Sequence, residues 1–430
     1  MGIDIKRVIA VALILTITLT GCTVRFAVEP TDPSELPVAN GGQQSGDSGL
    51  FGWLDADELQ GAGKIVIITN PYIIDEDAFL VANEFANRFG QERVVHIIWP
   101  RLEMVSDIPV VLQEISEDPE VGALIVNSSI WDNQSVIDAL RDIREDIFVV
   151  YTPLLRSERP IDIDIDIKAD LIIQTDMQRL GESYVTQAIS MGADTIVSYT
   201  FPRIRAISSF AIHRDAMKAV SERNGISYVE IEAPDPYYTL YQHYLPMFIT
   251  QDLPRQVERL GINTAFFAMA CPIQATIISR VIATGAIFVN TCCPSPYRSF
   301  PEAVGIETEI PTSENDEHGV PIIRRLELSE LLHAIDEEID AVGMAGRISC
   351  SAVSDSMMWT TIGFLYALEW LNENVSRESD VIDVEVLRRL ASEYMVELGV
   401  AAGVALEPLT HDGHIIGHYI LGVMDHHVFG

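Results

Sequence analysis

Residues 64–99 read KIVIITNPYIIDEDAFLVANEFANRFGQERVVHIIW, and this stretch decides the fold. The run 64–69 is uncharged after Lys64 and rich in Ile and Val, the composition of a strand buried on both faces. Phe79, Val81, Ala82, Phe85, Ala86 and Phe89 then recur at roughly helical spacing, and Gly90 follows as a stop. A second apolar run covers 93–99. Working outward, runs at 121–127, 147–152 and 169–174 predict further strands, with helix-patterned segments between them. Such alternation implies a parallel sheet with helices on both faces.

The pattern restarts after Thr175-Asp176, with a predicted helix over 179–191 and strands at 195–200, 227–231, 264–269 and 286–290. One sheet of about nine strands would approach the size at which open sheets split or curl. The expected fold is therefore α/β: two doubly wound parallel-sheet lobes joined by a hinge, with added C-terminal helices at 329–342, 354–372 and 384–399. The expected bounds are a first lobe over 64–176 and a second over 177–293. A return segment and C-terminal helices over 294–430 are expected to dock mainly on the first lobe. The hinge is expected at 174–178 and after Cys293, where Pro294 and Pro296 fix φ and stiffen the connector.

At the N-terminus Lys6 and Arg7 precede an uncharged apolar run over 8–19, and Leu19-Thr20-Gly21-Cys22 follows. The run is shorter than the roughly 20 residues a membrane span needs, so it reads as a cleaved signal ending in a lipobox. Cys22 is the expected lipidation site, through palmitate and a further acyl chain, since stable anchoring takes more than one. The segment 22–63 is rich in Pro, Gly, Ser, Asp and Gln and reads as a flexible tether with a reach of roughly 35 Å. These features place the globular part on the cell membrane or outer membrane, facing the extracytoplasmic space.

Of the 430 residues 48% are hydrophobic, enough for a large core, and 63 acidic residues against 28 basic ones give a formal net charge of -35. That charge repels phosphate backbones, so nucleic acid is not an expected partner. Beyond Cys22 there are only Cys271, Cys292, Cys293 and Cys350, too few for a disulfide scaffold. A single bridge of Cys271 with Cys292 or Cys293 stays open, as do free thiols.

Two resemblances rest on quoted residues. Ile173-Gln174-Thr175-Asp176, then Gly181 and a helix ending in Met191-Gly192-Ala193, resembles the lobe crossover of the type I periplasmic-binding-protein fold. Thr264-Ala265-Phe266-Phe267 through Gly285-Ala286-Ile287-Phe288-Val289 resembles its late strand-helix-strand unit. More specifically, Ser198-Tyr199-Thr200-Phe201-Pro202-Arg203, Glu232-Ala233-Pro234-Asp235-Pro236, Asp252-Leu253-Pro254-Arg255 and Cys292-Cys293-Pro294-Ser295-Pro296-Tyr297 resemble an uncharacterised bacterial lipoprotein family, a domain of unknown function. The resemblance implies a solute-binding fold and an envelope location, and supplies no chemistry.

In open parallel sheets ligands bind beyond the carboxyl ends of the strands. That rule selects Asn70, Tyr72, Trp99, Arg101, Asn127, Ser128, Ser129, Trp131, Tyr151 and Thr152 in the first lobe. In the second it selects Phe201, Arg203, Glu232, Cys271, Asn290, Thr291 and Tyr297. Aromatic faces beside hydroxyl, amide and guanidinium groups suit a small polar ligand, with Arg101 and Arg203 as anchors for an anion. There is no Walker-type loop and no GxGxxG, so no nucleotide cofactor is expected. No catalytic residue and no metal site is expected. Cys271, Cys292 and Cys293 lack a neighbouring His or Asp at triad spacing, and Gly413 and Gly417 weaken any helical array of His411, His414, His418, His426 and His427. The alternating Ile-Asp run over 161–167 suggests a calcium site, and an edge strand with one solvated acidic face explains it as well.

The expected function is a lipid-anchored solute-binding protein, not an enzyme, that captures a small polar ligand between its lobes for a membrane permease or sensor. The competing readings are an envelope interaction protein without a ligand and a cysteine-dependent enzyme.

Overall fold

Strand β1 (Lys64–Thr69) sends alternate side chains into two separate apolar cores. Ile65 and Ile67 enter one, Val66 and Ile68 the other, which is the period-2 geometry of a strand covered on both faces. The computed structural model describes residues 51–430 except 52, 55–62, 73, 99–107, 129–132, 154–166, 206, 236–243, 316–320 and 377–380. The expected signal run, Cys22, most of the tether and most of the Ile-Asp run thus lie outside the described residues.

After β1 come α1 (Glu76–Phe89), β2 (Val94–Ile98), α2 (Ile108–Glu117), β3 (Val121–Asn127), α3 (Asn133–Arg141), β4 (Phe148–Tyr151) and β5 (Leu171–Thr175). The second lobe continues with α4 (Met177–Ser190), β6 (Thr195–Thr200), α5 (Pro202–Arg205), α6 (Ser208–Asn224), β7 (Ser227–Glu232), α7 (Tyr244–Leu260), β8 (Thr264–Ala268) and α8 (Gln274–Thr284). It adds α9 (Phe300–Val304), a hairpin of β9 (Glu309–Asn315) and β10 (Pro321–Arg325), α10 (Leu328–Ala341) and β11 (Ser349–Ser351). The chain ends in α11 (Asp355–Leu371), α12 (Val384–Glu397), β12 (Val404–His411), β13 (His414–Met424) and β14 (His426–Val428).

The first sheet has seven strands in the order β2-β1-β3-β4-β5-β13-β12. All are parallel except β12, which pairs antiparallel with β13. The second has β7-β6-β8, also parallel. Single bridges from Ala265 to Ile287 and from Phe288 to Ile348 extend it toward the β11-β14 pair. In each sheet the first strand lies between the second and third, so each lobe has a switch point where adjacent loops diverge and leave a crevice.

Two expectations need correction. The chain does not cross between lobes after Cys293: α9 packs on α8 and α10, and the Phe300 ring lies 5.8 Å from Phe288 and 5.9 Å from Phe429 in the second lobe. The crossings fall after β5, between β11 and α11, and at Asp425 between β13 and β14. The C-terminal part is also not helical throughout. α10 sits in the second lobe, α11 and α12 serve the first, and the tail is a β12-β13 hairpin that widens the first sheet beside β5. Its histidines are spread over strands of both sheets.

Helix α11 is apolar around its whole circumference and packs against α1, β3, β4 and β5, as such a helix must. Phe364 stacks on Phe85 at 3.8 Å between ring centroids. Trp359 lies so close to Gly422 of β13 that a Cβ there would stand 2.4 Å from its ring, so only glycine admits the indole in this position. No helix among the described residues is long and apolar enough to cross a membrane.

Candidate functional site

The carboxyl ends of β3, β4 and β5 meet the N-termini of α1 and α11 in a pocket closed on its far side by the second-lobe loop 293–298. Its walls carry Asp75, Asp77, Asn127, Thr175, Arg298 and Asp355, with Ser356 and Trp359 beside them. It encloses about 60 Å³, room for a few waters, since about 30 Å³ is one water's share of the liquid.

Asp75 caps α1, accepting from the Ala78 amide at 3.5 Å, and its other oxygen accepts from Ser356 Oγ at 2.7 Å. Arg298 reaches across from the second lobe to Asp75 at 3.1 Å and to Asp77 at 3.7 Å. Burial pushes the Asp75 carboxyl up to about 6 even though Arg298 pulls the other way. Burial also works against the Arg298 charge, but Asp77 and Asp75 outweigh it and raise its proton affinity.

On the other wall Ser354 caps α11, and the buried Asp355 follows. Thr175 Oγ1 donates to Asp355 at 2.5 Å and accepts from Trp359 Nε1 at 2.9 Å, tying β5 to α11. Burial drives Asp355 up to about 7, with the Thr175 bond opposing the rise. Asn127 donates to Thr360 at 2.6 Å, which leaves its carbonyl oxygen buried without a hydrogen bond. Both oxygens of Asp77 are likewise buried without one. The pocket therefore presents unmet acceptors.

The structure brings some of the sequence-selected residues together here. Asn127 and Thr152 line the pocket. Asn70 accepts from Ser128 at 3.2 Å, joining the ends of β1 and β3 at the switch point. Others have different roles. Tyr72 is 43% exposed on the surface and donates to Glu76. Phe201 is buried in the second-lobe core, and Tyr151 in the first. Asn290 binds Ser351 and the Thr291 amide, pinning β11 to the strand-like segment beside β8. Thr291 donates to the Cys293 carbonyl and Glu232 pairs with Arg205. Tyr297 donates to the Leu326 carbonyl at 3.0 Å and lies under the Arg325 guanidinium, so it holds the β9-β10 hairpin rather than the pocket. Trp99, Arg101, Ser129 and Trp131 lie outside the described residues, as does the Arg203 side chain.

Sequence reasoning missed Asp75, Asp77, Thr175, Arg298, Asp355 and Trp359. The strand-end rule stops at the first loop residues, whereas Asp75, Asp77, Asp355 and Trp359 sit at or near helix N-termini and Arg298 arrives from the other lobe; Thr175 ends β5 and was within the rule's reach. One available signal was a Ser-Asp pair opening a helix with no polar face, at Ser354-Asp355.

Cys271 belongs to a second cluster. Its sulfur lies 3.3 Å from that of Cys292 and 3.2 Å from that of Cys293, and none of the four described cysteines is in a disulfide. Mutual hydrogen bonding with Cys271 and Cys293, together with burial, raises the Cys292 thiol far above its ordinary range.

A family model described as "Protein of unknown function (DUF3798)" matches residues 64–349. The chain belongs to this family. An uncharacterized protein from Treponema pallidum (strain Nichols) is 22% identical over 176 residues, 41% of this chain and 80% of the relative. Among solved structures, a protein from Clostridium difficile 630 assigned as a transcriptional regulator superposes with a TM-score of 0.71 at 16% identity, over 85% of this chain and 99% of that one. A sugar ABC transporter from Actinomyces odontolyticus gives a TM-score of 0.47 at 10% identity, over 74% and 86%. With two parallel-sheet lobes and this likeness to the Clostridium difficile protein, the DUF3798 member has a type I periplasmic-binding-protein-like fold.

Proposed function

We propose that this DUF3798 chain is a lipid-anchored extracytoplasmic solute-binding protein that takes a small ligand rich in hydrogen-bond donors, a sugar or polyol, for a membrane permease or sensor. The observation that carries the reading is the set of buried acceptors without hydrogen bonds among the pocket's lining residues, Asp77 Oδ1, Asp77 Oδ2 and Asn127 Oδ1. Buried acceptors of this kind are costly unless something donates to them, and ligand hydroxyls do so. Trp359 supplies an apolar face beside them, and Asp75, Asp355 and Ser356 add further polar groups. A pocket this small admits a sugar only if the lobes separate, the hinge motion common to two-lobed binders. A closed-up or wholly apolar cleft would favour the interaction-protein alternative; this one is closed to a small volume but is lined by Asp75, Asp77, Asn127 and Asp355.

Calorimetric titration with a panel of sugars, polyols and amines tests the reading. Asp77→Asn is expected to weaken the ligand found by about 10- to 100-fold, the value of a charge-assisted hydrogen bond, without lowering the melting temperature. A folded protein that binds none of the panel, or an Asp77→Asn variant with unchanged affinity, counts against it.

The anchor is tested separately. Cys22→Ala is expected to abolish incorporation of labelled palmitate in the native host and to leave an uncleaved or released protein. Label entering the variant would show that another residue is acylated.

A further inference from the structure

We propose that Cys271, Cys292 and Cys293 form a three-thiolate site for one thiophilic d10 metal ion, of the zinc or copper(I) class. The proposal stands whether or not the pocket takes an organic solute.

The three sulfurs come from two separate segments. Cys271 opens the 3-10 turn Cys271–Ile273 after β8, while Cys292 and Cys293 follow the segment that bridges β8 and Ile348. Both segments are held by their own hydrogen bonds. Gln274 donates to the Ala268 and Ala270 carbonyls at 2.6 and 3.2 Å, bracing the turn. Thr291 Oγ1 donates to the Cys293 carbonyl at 2.8 Å, and Asn290 Oδ1 takes the Thr291 amide at 2.9 Å. The two segments that carry the sulfurs are therefore braced, as a preorganised ligand set requires.

The separations are 3.2, 3.3 and 4.0 Å. A point equidistant from three sulfurs so placed lies about 2.1 Å from each, against roughly 2.3 Å for a zinc–thiolate bond, so an ion would fit about 1 Å out of their plane. Soft thiolates select soft ions. The ligand atoms of these three residues make the one such group of three or more His, Cys, Asp or Glu among the described residues. An ion bound there keeps an open coordination position, as zinc does with three protein ligands.

Access also fits. Cys292 is buried, but Cys271 and Cys293 are partly exposed and Cys293 lines the polar pocket, which provides an entry path. Binding a divalent ion replaces three thiol protons, so three protons leave and the assembled centre carries one net negative charge. Arg298 lies within electrostatic reach of Cys293 and Cys271, although Asp75 and Asp77 already share its charge.

The test is a titration of the reduced, chelator-stripped full chain with Cd(II), followed by its thiolate-to-metal charge-transfer absorption, with Zn(II) competition against a chromophoric chelator. One equivalent is expected. Cys293→Ser, at the partly exposed position, and Cys292→Ser, at the buried one, should each weaken binding at least 100-fold, while Cys350→Ser leaves it intact. Affinity should fall steeply as pH drops, because protons compete for the sulfurs. Asp77→Asn, which removes a pocket acceptor, should not affect the metal, so failure of this proposal is distinguishable from failure of the ligand reading. Absence of charge-transfer absorption, binding unchanged in Cys293→Ser, or a Cys271–Cys293 disulfide that forms without any metal uptake overturns it.

Discussion

Arg298→Ala is expected to cost about 3–5 kcal/mol of folding free energy at pH 8, the penalty for leaving a buried charge without its partner. Arg298 is 28% exposed while the Asp75 and Asp77 side chains are 1% and 2% exposed, so the loss falls on two carboxylates that water cannot solvate. The loss depends on pH. Without Arg298 the Asp75 carboxyl, already pushed up to about 6, rises further and takes a proton more readily, so the defect shrinks toward pH 5. Asp75→Asn and Asp77→Asn added to Arg298→Ala should restore most of the stability, because asparagine still caps a helix and carries no charge. Urea denaturation of the single and triple variants measures this. A single variant as stable as the wild type at pH 8 would show that the cross-lobe pair contributes nothing, and a triple variant no better than the single would show that the loss does not come from unpaired carboxylates.

The second large effect is at Asp355. Its carboxyl stands at about 7 in the fold against an ordinary value of 3.8, so the native state binds a proton that the unfolded chain has released over that interval. The sign follows: stability tied to this group is fully present below pH 3.8 and is lost as pH rises through 7. At about 1.4 kcal/mol per tenfold change in proton affinity, the loss at pH 8 is about 4 kcal/mol. Asp355→Asn keeps an acceptor for Thr175 and abolishes the titration. It should therefore be more stable than the wild type by up to about 4 kcal/mol at pH 8, with the gap opening between pH 4 and 7 and absent below. Parallel unfolding curves across that range decide it, since the remaining carboxylates cancel in the difference. A gap independent of pH would mean that Asp355 ionises normally in the folded state. Natural retention of such a costly group fits a site that uses it.

Much of the architecture was legible because it depends on local periodicity. A strand covered on both faces, such as β1, is uncharged and mostly apolar along its middle, and the runs at 64–69, 121–127 and 195–200 coincide with β1, β3 and β6. The helices read at 329–342, 354–372 and 384–399 correspond to α10, α11 and α12 for the same reason. The tail was not legible as a hairpin of the first sheet, because β13 is placed there by pairing with β5, some 240 residues earlier, and pairing at that range leaves no local pattern.

The sequence by itself determined the α/β class, the repetition of a parallel unit in two lobes and the family resemblance, since each is carried by short-range spacing and composition. Only the tertiary structure decided the pocket and the thiol cluster. Arg298 meets Asp75 across 223 residues, Thr175 meets Asp355 across 180, and Cys271 meets Cys293 across 22. The sites are built from side chains whose neighbours are chosen by strand order and by where the chain crosses between lobes. Those choices follow from burying two sheets and one wholly apolar helix together, a free-energy balance over the whole chain that no single stretch of residues displays.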